Sequence, residues 1–269
     1  DTGSGKTSLL RDLAAEIIEG DVGACFYSVK SDAYQDGLSI VKKANRPFVR
    51  FDIATERYNP LAFALKHWSP PEAAEQLKIV SEANADGAGK QDAFWQGNFD
   101  NALVHVLTLL AIARETPSLV DMYQFVSSMP TKADQHSKPE FQQTFCCQLM
   151  VEASEKCTES QQFDVDQACD FFCISLPTAG SKVSGAVITN LLNLCAPLAR
   201  GELRAVVQGE STISPSDPSD GFVVLWDYPV LDAGAPARLL QTMFKVQMCK
   251  YILKVAPKRY TLQVTDEAQ

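Results

Sequence analysis

The stretch Asp1-Thr2-Gly3-Ser4-Gly5-Lys6-Thr7-Ser8 decides how the rest of the chain is read. Gly5, Lys6 and Thr7 fit the second half of the pattern G-x-x-x-x-G-K-[ST], and Asp1 to Ser4 fill its four free positions. The first Gly of that pattern would fall one residue before Asp1. The plain alternative is a Gly/Ser-rich turn ahead of an ordinary helix.

The residue types favour the phosphate-binding loop. Gly3 and Gly5 let backbone N–H groups turn inward around a phosphate, and Thr2, Ser4 and Ser8 line the same loop. Lys6 is expected to neutralise β- and γ-phosphate oxygens, and Thr7 to offer its hydroxyl to Mg²⁺. Leu9, Leu10, Leu13, Ile17 and Ile18 recur at helical spacing, so a helix follows and aims its N-terminus at the phosphates. Gly20 is its expected stop.

The far end of the chain carries the complementary motif. Tyr260-Thr261-Leu262-Gln263-Val264-Thr265 is β-prone and runs into Asp266-Glu267-Ala268-Gln269. Its alternation equally suits a half-buried strand with a charged end. Paired with Gly-Ser-Gly-Lys-Thr it reads as a strand whose Asp266 completes a Mg²⁺ site and whose Glu267 orients the attacking water on ATP. Gln269 is a further candidate, as a sensor of the terminal phosphate.

With 269 residues, 46% hydrophobic and 21% charged, the chain is long enough for one large domain or two ordinary ones. The formal charge of −9 and the absence of a long Lys/Arg run leave any nucleic-acid surface local. No apolar stretch reaches the length of a membrane span. The chain starts inside one motif and stops just after another, so it is expected to be an internal piece of a longer protein. Eight Cys form no C-x-x-C pair and read as small buried residues. His67, His105 and His136 have no ligand spacing, and His105 reads as a packed residue of an apolar helix.

Between the two ends the pattern changes twice. Strands are expected at 24–29 and 48–53, with a short helix at 33–44 capped by Asp32. From Asn59-Pro60-Leu61 to about residue 197 there is almost no strand signal. Helices are expected at 61–67, 71–84, 93–114, 118–128, 138–156, 161–175 and 181–196. The clearest sets Leu103, Val104, Leu107, Leu110 and Ala111 on one face. Gly221 to Trp226 is then a strong buried strand, and 235–254 a long helix with Leu239, Leu240, Met243, Phe244, Met248 and Ile252 inward. The expected architecture is α/β: residues 1–59 and 198–269 form a parallel-sheet nucleotide-binding domain, and residues 60–197 an inserted all-α domain.

These residues resemble a family. Asp1 to Thr7 with an all-α insertion is similar to the conjugative coupling proteins of type IV secretion, the TraG/TraD-like DNA-transfer ATPases. Phe51-Asp52-Ile53 before Asn59-Pro60-Leu61, Asp92-Ala93-Phe94-Trp95, Pro117 to Tyr123, the Val223 to Pro229 strand with its Tyr-Pro end, and Asp266 to Gln269 are similar too. The resemblance spans nearly the whole chain, and the two nucleotide motifs carry its specificity.

The resemblance implies a P-loop NTPase core of RecA-like type with ATP and Mg²⁺ as cofactors. It further implies a hexameric motor on the cytoplasmic face of the bacterial inner membrane, anchored only through segments outside these residues. Such a motor brings single-stranded DNA, with a relaxase or another secreted protein, to the secretion channel. It also needs an arginine from a neighbouring subunit. Arg46, Arg50, Arg200, Arg204 and Arg238 are present, and each reads as a solvated surface residue. Two other readings stand beside it: a double-stranded DNA translocase of the FtsK/HerA type, and a nucleotide-binding scaffold without hydrolysis.

Overall fold

The computed structural model describes residues 6–30, 32–84, 93–256 and 259–265; the side chains of residues 6–11 and 93–96 lie outside that description. In chain order the elements are α1 (Lys6–Glu19), β1 (Gly23–Tyr27), α2 (Ala33–Lys43) and β2 (Phe48–Phe51). Helices follow: α3 (Pro60–His67), α4 (Pro70–Ala83), α5 (Ala93–Ala113), α6 (Leu119–Ser128), α7 (Pro139–Gln142), α8 (Phe145–Lys156) and α9 (Gln162–Asp170). A π turn (Phe171–Ser175) leads through α10 (Leu176–Thr178) to α11 (Ser181–Cys195) and α12 (Leu203–Val206). The chain closes with β3 (Val223–Trp226), α13 (Val230–Ala233), α14 (Ala235–Val255) and β4 (Thr261–Thr265).

The chain divides into two compact units, Asp1–Tyr58 with Ser211–Gln269 and Asn59–Glu210. The first is α/β. Its four strands are all parallel, in the order β2-β3-β1-β4. Each crossover skips one strand: α2 carries the chain from β1 past β3 to β2, and α14 carries it from β3 past β1 to β4.

Strand alternation sends successive side chains to opposite faces of the sheet. On one face Ala24, Phe26, Val223 and Leu225 meet Ala14 and Ile18 of α1 and Ile40 and Val41 of α2. On the other, Trp226 is fully buried against Phe51, Tyr58 and Phe244, with ring centroids 4.1, 6.4 and 5.2 Å away. α2 and α14 thus cover opposite faces while moving in opposite directions along the sheet, so the two crossovers share one hand.

The mixed composition of the last strand has a physical reason. Leu262 and Val264 pack on the α1/α2 core. Gln263 and Thr265 face α14 instead, where Gln263 donates to Cys249 Sγ at 2.9 Å. All five residues are only half-buried, because within the described sheet β4 has a neighbour on one side alone.

Two strands are shorter than their sequence patterns. β1 stops at Tyr27 because Ser28 and Val29 accept hydrogen bonds from Val230 and Leu231 rather than from a strand. β2 stops at Phe51 because Asp52 Oδ1 takes the Ala54 amide at 3.0 Å and turns the chain.

Every regular element described in the second unit is a helix. Asn59 opens it: its Oδ1 caps α3 through the Ala62 amide, and its Nδ2 donates to Gly209 O at 3.0 Å near the exit. Residues 198–210 belong here, with Leu203 and Val206 of α12 buried. Ser118 and Asp121 form a reciprocal capping box on α6.

At the centre, α5 packs on α4, α8, α9 and α11. Phe99, Ala102, Leu103, Val106, Leu107, Leu109 and Leu110 are all buried, so α5 has no single apolar stripe; Ala111, expected inward, is exposed. The helix expected at 138–156 breaks in two because Thr144 caps a fresh start, accepting from the Cys147 amide at 3.2 Å. His105 packs 4.9 Å from Phe171, and burial lowers its pKa.

Candidate functional site

In a parallel sheet all strands end at one edge. Here Tyr27, Phe51, Trp226 and Thr265 are those ends. α1 has 14 residues, about 20 Å at 1.5 Å per residue, enough to cross strands of four or five residues from end to end. It reaches β1 through three residues and buries Ala14 and Ile18 on the sheet, so it runs against the strands. Its first residue, Lys6, therefore starts at the carboxyl edge. β4 pairs directly with β1, and Thr265 is the register partner of Tyr27. The start of α1 and the end of β4 belong to the same edge, which in open α/β sheets is where ligands bind.

Of the residues expected to form the site, Lys6, Thr7 and Ser8 are the first three of α1. Thr2, Gly3, Ser4 and Gly5, together with Asp266, Glu267 and Gln269, lie outside the described residues. Asp266 follows Thr265 directly in the chain.

The described part of the edge is held by polar contacts. Gln241 of α14 is buried, and its Nε2 donates to Ser28 O at 3.0 Å and Tyr228 O at 2.9 Å, joining the loops after β1 and β3. Ser28 Oγ donates to Trp226 O. The Asp227 amide donates to Phe51 O at 2.8 Å, extending the β2–β3 ladder past the strands. Lys245 of α14 reaches the ends of both β1 and β4: its Nζ lies 4.8 Å from the centre of the Tyr27 ring and 3.4 Å from Thr265 Oγ1.

Arg50, at the end of β2, donates through Nε to Asp227 at 2.9 Å and pairs with Asp52 at 3.1 Å, while its guanidinium stacks 4.9 Å above Tyr34. The Asp227 carboxylate raises the Arg50 pKa further above its already high value.

Two arginines depart from the reading of solvated surface residues. Arg46 is largely buried and donates to four backbone carbonyls, those of Ile18, Gly20, Val22 and Gly221. Arg50 is half-exposed but paired as above. In the helical unit Arg200 donates to the Tyr123 hydroxyl at 2.6 Å.

Cys25, beneath the edge, has its thiol pushed up to about 12, first by burial, with Tyr27 and Trp226 partly opposing. It is a packing residue, not a nucleophile. Among the described residues no cluster of three or more His, Cys, Asp or Glu is arranged to hold a metal.

Gln241 and Lys245 were missed because nucleotide-motif patterns do not extend to α14. Gln241 did leave a signal. A polar amide sits beside Leu239 and Leu240 among the mainly apolar inward residues of α14, and such a residue is buried only with partners. No protein-family model matches the chain, and no curated protein matches it. Among the described residues, no helix is long and apolar enough to cross a membrane.

Proposed function

We propose that the α/β unit is the core of a P-loop ATPase, and that the protein is an ATP-hydrolysing motor of the TraG/TraD-like kind, coupling DNA to a secretion channel. One observation supports this above the others. β4 lies beside β1, so the helix beginning Lys6-Thr7-Ser8 and the strand preceding Asp266-Glu267 meet one edge of a parallel sheet.

The residues available there suit a nucleotide and its metal. Gly3, Gly5 and the α1 N-terminus present amides to phosphate, and Lys6 adds a fixed positive charge. Thr7 and Asp266 supply hard oxygen donors of the kind Mg²⁺ takes, and the bound ion neutralises phosphate charge. Glu267 holds the attacking water and accepts its proton. In this reading the helical unit is an insertion that meets DNA or its escorting protein, and neighbouring copies in a ring supply the missing arginine.

Steady-state ATP hydrolysis by the intact protein tests the proposal. Lys6→Ala is expected to reduce turnover by roughly a hundredfold or more, the scale of losing one preorganised charge. Glu267→Gln is expected to retain ATP binding while abolishing release of phosphate. Wild-type turnover in Lys6→Ala overturns the enzyme. Full nucleotide binding without hydrolysis in the wild type replaces it with a scaffold.

A further inference from the structure

We propose that Lys245 is a positioning residue of this site: it locks the end of β4 to the end of β1 and so aims the two carboxylates that follow Thr265 in sequence. The inference rests on the ATPase reading above.

The geometry is that of a bridge. Tyr27 and Thr265 are the paired last residues of adjacent strands, and Lys245 touches both from α14. One helical turn further on, Cys249 takes the amide of Gln263. α14 therefore grips β4 through two consecutive residues of one strand face.

β4 has more need of such a grip than β1 or β3. The residues of β1 and β3 are all buried, whereas none of β4's is, and a strand with less burial on either face is less firmly held in register. A small slip or tilt at Thr265 displaces whatever the strand carries next. Sub-ångström aim matters for a carboxylate that has to hold a water molecule in line.

An apolar side chain at position 245 keeps the contact with the Tyr27 ring and loses the bond to Thr265. Arginine keeps a positive charge, a donor and affinity for the ring face. This difference separates positioning from packing.

The test compares Lys245→Met, Lys245→Arg, Thr265→Val and the double variant Lys245→Met/Thr265→Val in the intact protein, with Lys6→Ala alongside. Lys245→Met is expected to lower kcat about tenfold with KM for ATP within about twofold, and Lys245→Arg to recover most of the loss. Thr265→Val is expected to match Lys245→Met, and the double variant to be no worse than either, since both remove one contact. Amide hydrogen exchange across Thr261–Thr265 is expected to quicken in Lys245→Met whatever the turnover.

Unchanged kcat in Lys245→Met overturns the inference, as does unchanged exchange. So do losses that multiply in the double variant. In those cases a collapse of turnover in Lys6→Ala still upholds the ATPase. Wild-type turnover in Lys6→Ala brings down both.

Discussion

Arg46 donates to the carbonyl of Gly221 at 2.9 Å, tying the loop before β2 to the loop before β3. The same guanidinium reaches back to Ile18 O at 3.2 Å and Val22 O at 3.1 Å, and to Gly20 O. It thereby closes the C-terminus of α1, whose last carbonyls have no partner within the helix.

Removing this side chain strands partly buried carbonyls at three places. Arg46→Ala is expected to destabilise the α/β unit by about 2–4 kcal/mol, the scale of a few charge-assisted bonds allowing for non-additivity. Arg46→Lys recovers only part, because an ammonium lacks the planar fork that serves separated acceptors. Urea unfolding checks both. A loss below about 0.5 kcal/mol contradicts the clamp.

Gly23 begins β1 where the backbone of Pro218 crosses it. A Cβ on Gly23 would stand 1.7 Å from the Pro218 carbonyl oxygen, a contact no rotamer relieves. Gly23→Ala is expected to cost more than about 2 kcal/mol, at the upper end of overpacking. Gly97 faces open space, so Gly97→Ala in the second turn of α5 is the control and is expected to be neutral or mildly stabilising. Equal melting temperatures for wild type and Gly23→Ala refute the crowding.

Asp217 gives the α/β unit a dependence on pH. Burial pushes its carboxyl up to about 6, with the Ser214 amide opposing and Asp220 adding to the rise. A carboxyl with a raised folded pKa binds a proton more tightly when folded. Its stabilising contribution is therefore complete below the unfolded value of about 4 and is lost as pH rises through about 6. Asp217→Asn keeps an acceptor for Ser214 and removes the charge. It is expected to stabilise the protein at pH 7.5 by about 1–2 kcal/mol, after discounting for solvent around a half-buried group, and by little at pH 4. Thermal unfolding at the two pH values reads the difference, and equal shifts at both contradict it.

The elements themselves were legible in local sequence. Phe26, Val223 and Leu225 lie in apolar runs bounded by turn residues, and such runs are strands wherever they pair. Ser118 caps its helix with its own side chain and is recognisable within four residues, whereas the cap at Thr144 was masked by the helical pattern that runs across it. Even the polar alternation of Thr261, Gln263 and Thr265 was visible, although its cause was not.

Only the tertiary structure decided which strand lies beside which, since the 3.3 Å step of a strand records nothing about its neighbour. It alone set β4 against β1, put Lys245 between Tyr27 and Thr265, and turned Arg46 from a surface residue into a clamp. These contacts join residues far apart in the chain. Periodicity and capping act over one or two turns of backbone, whereas pairing and burial depend on the whole chain having closed around them.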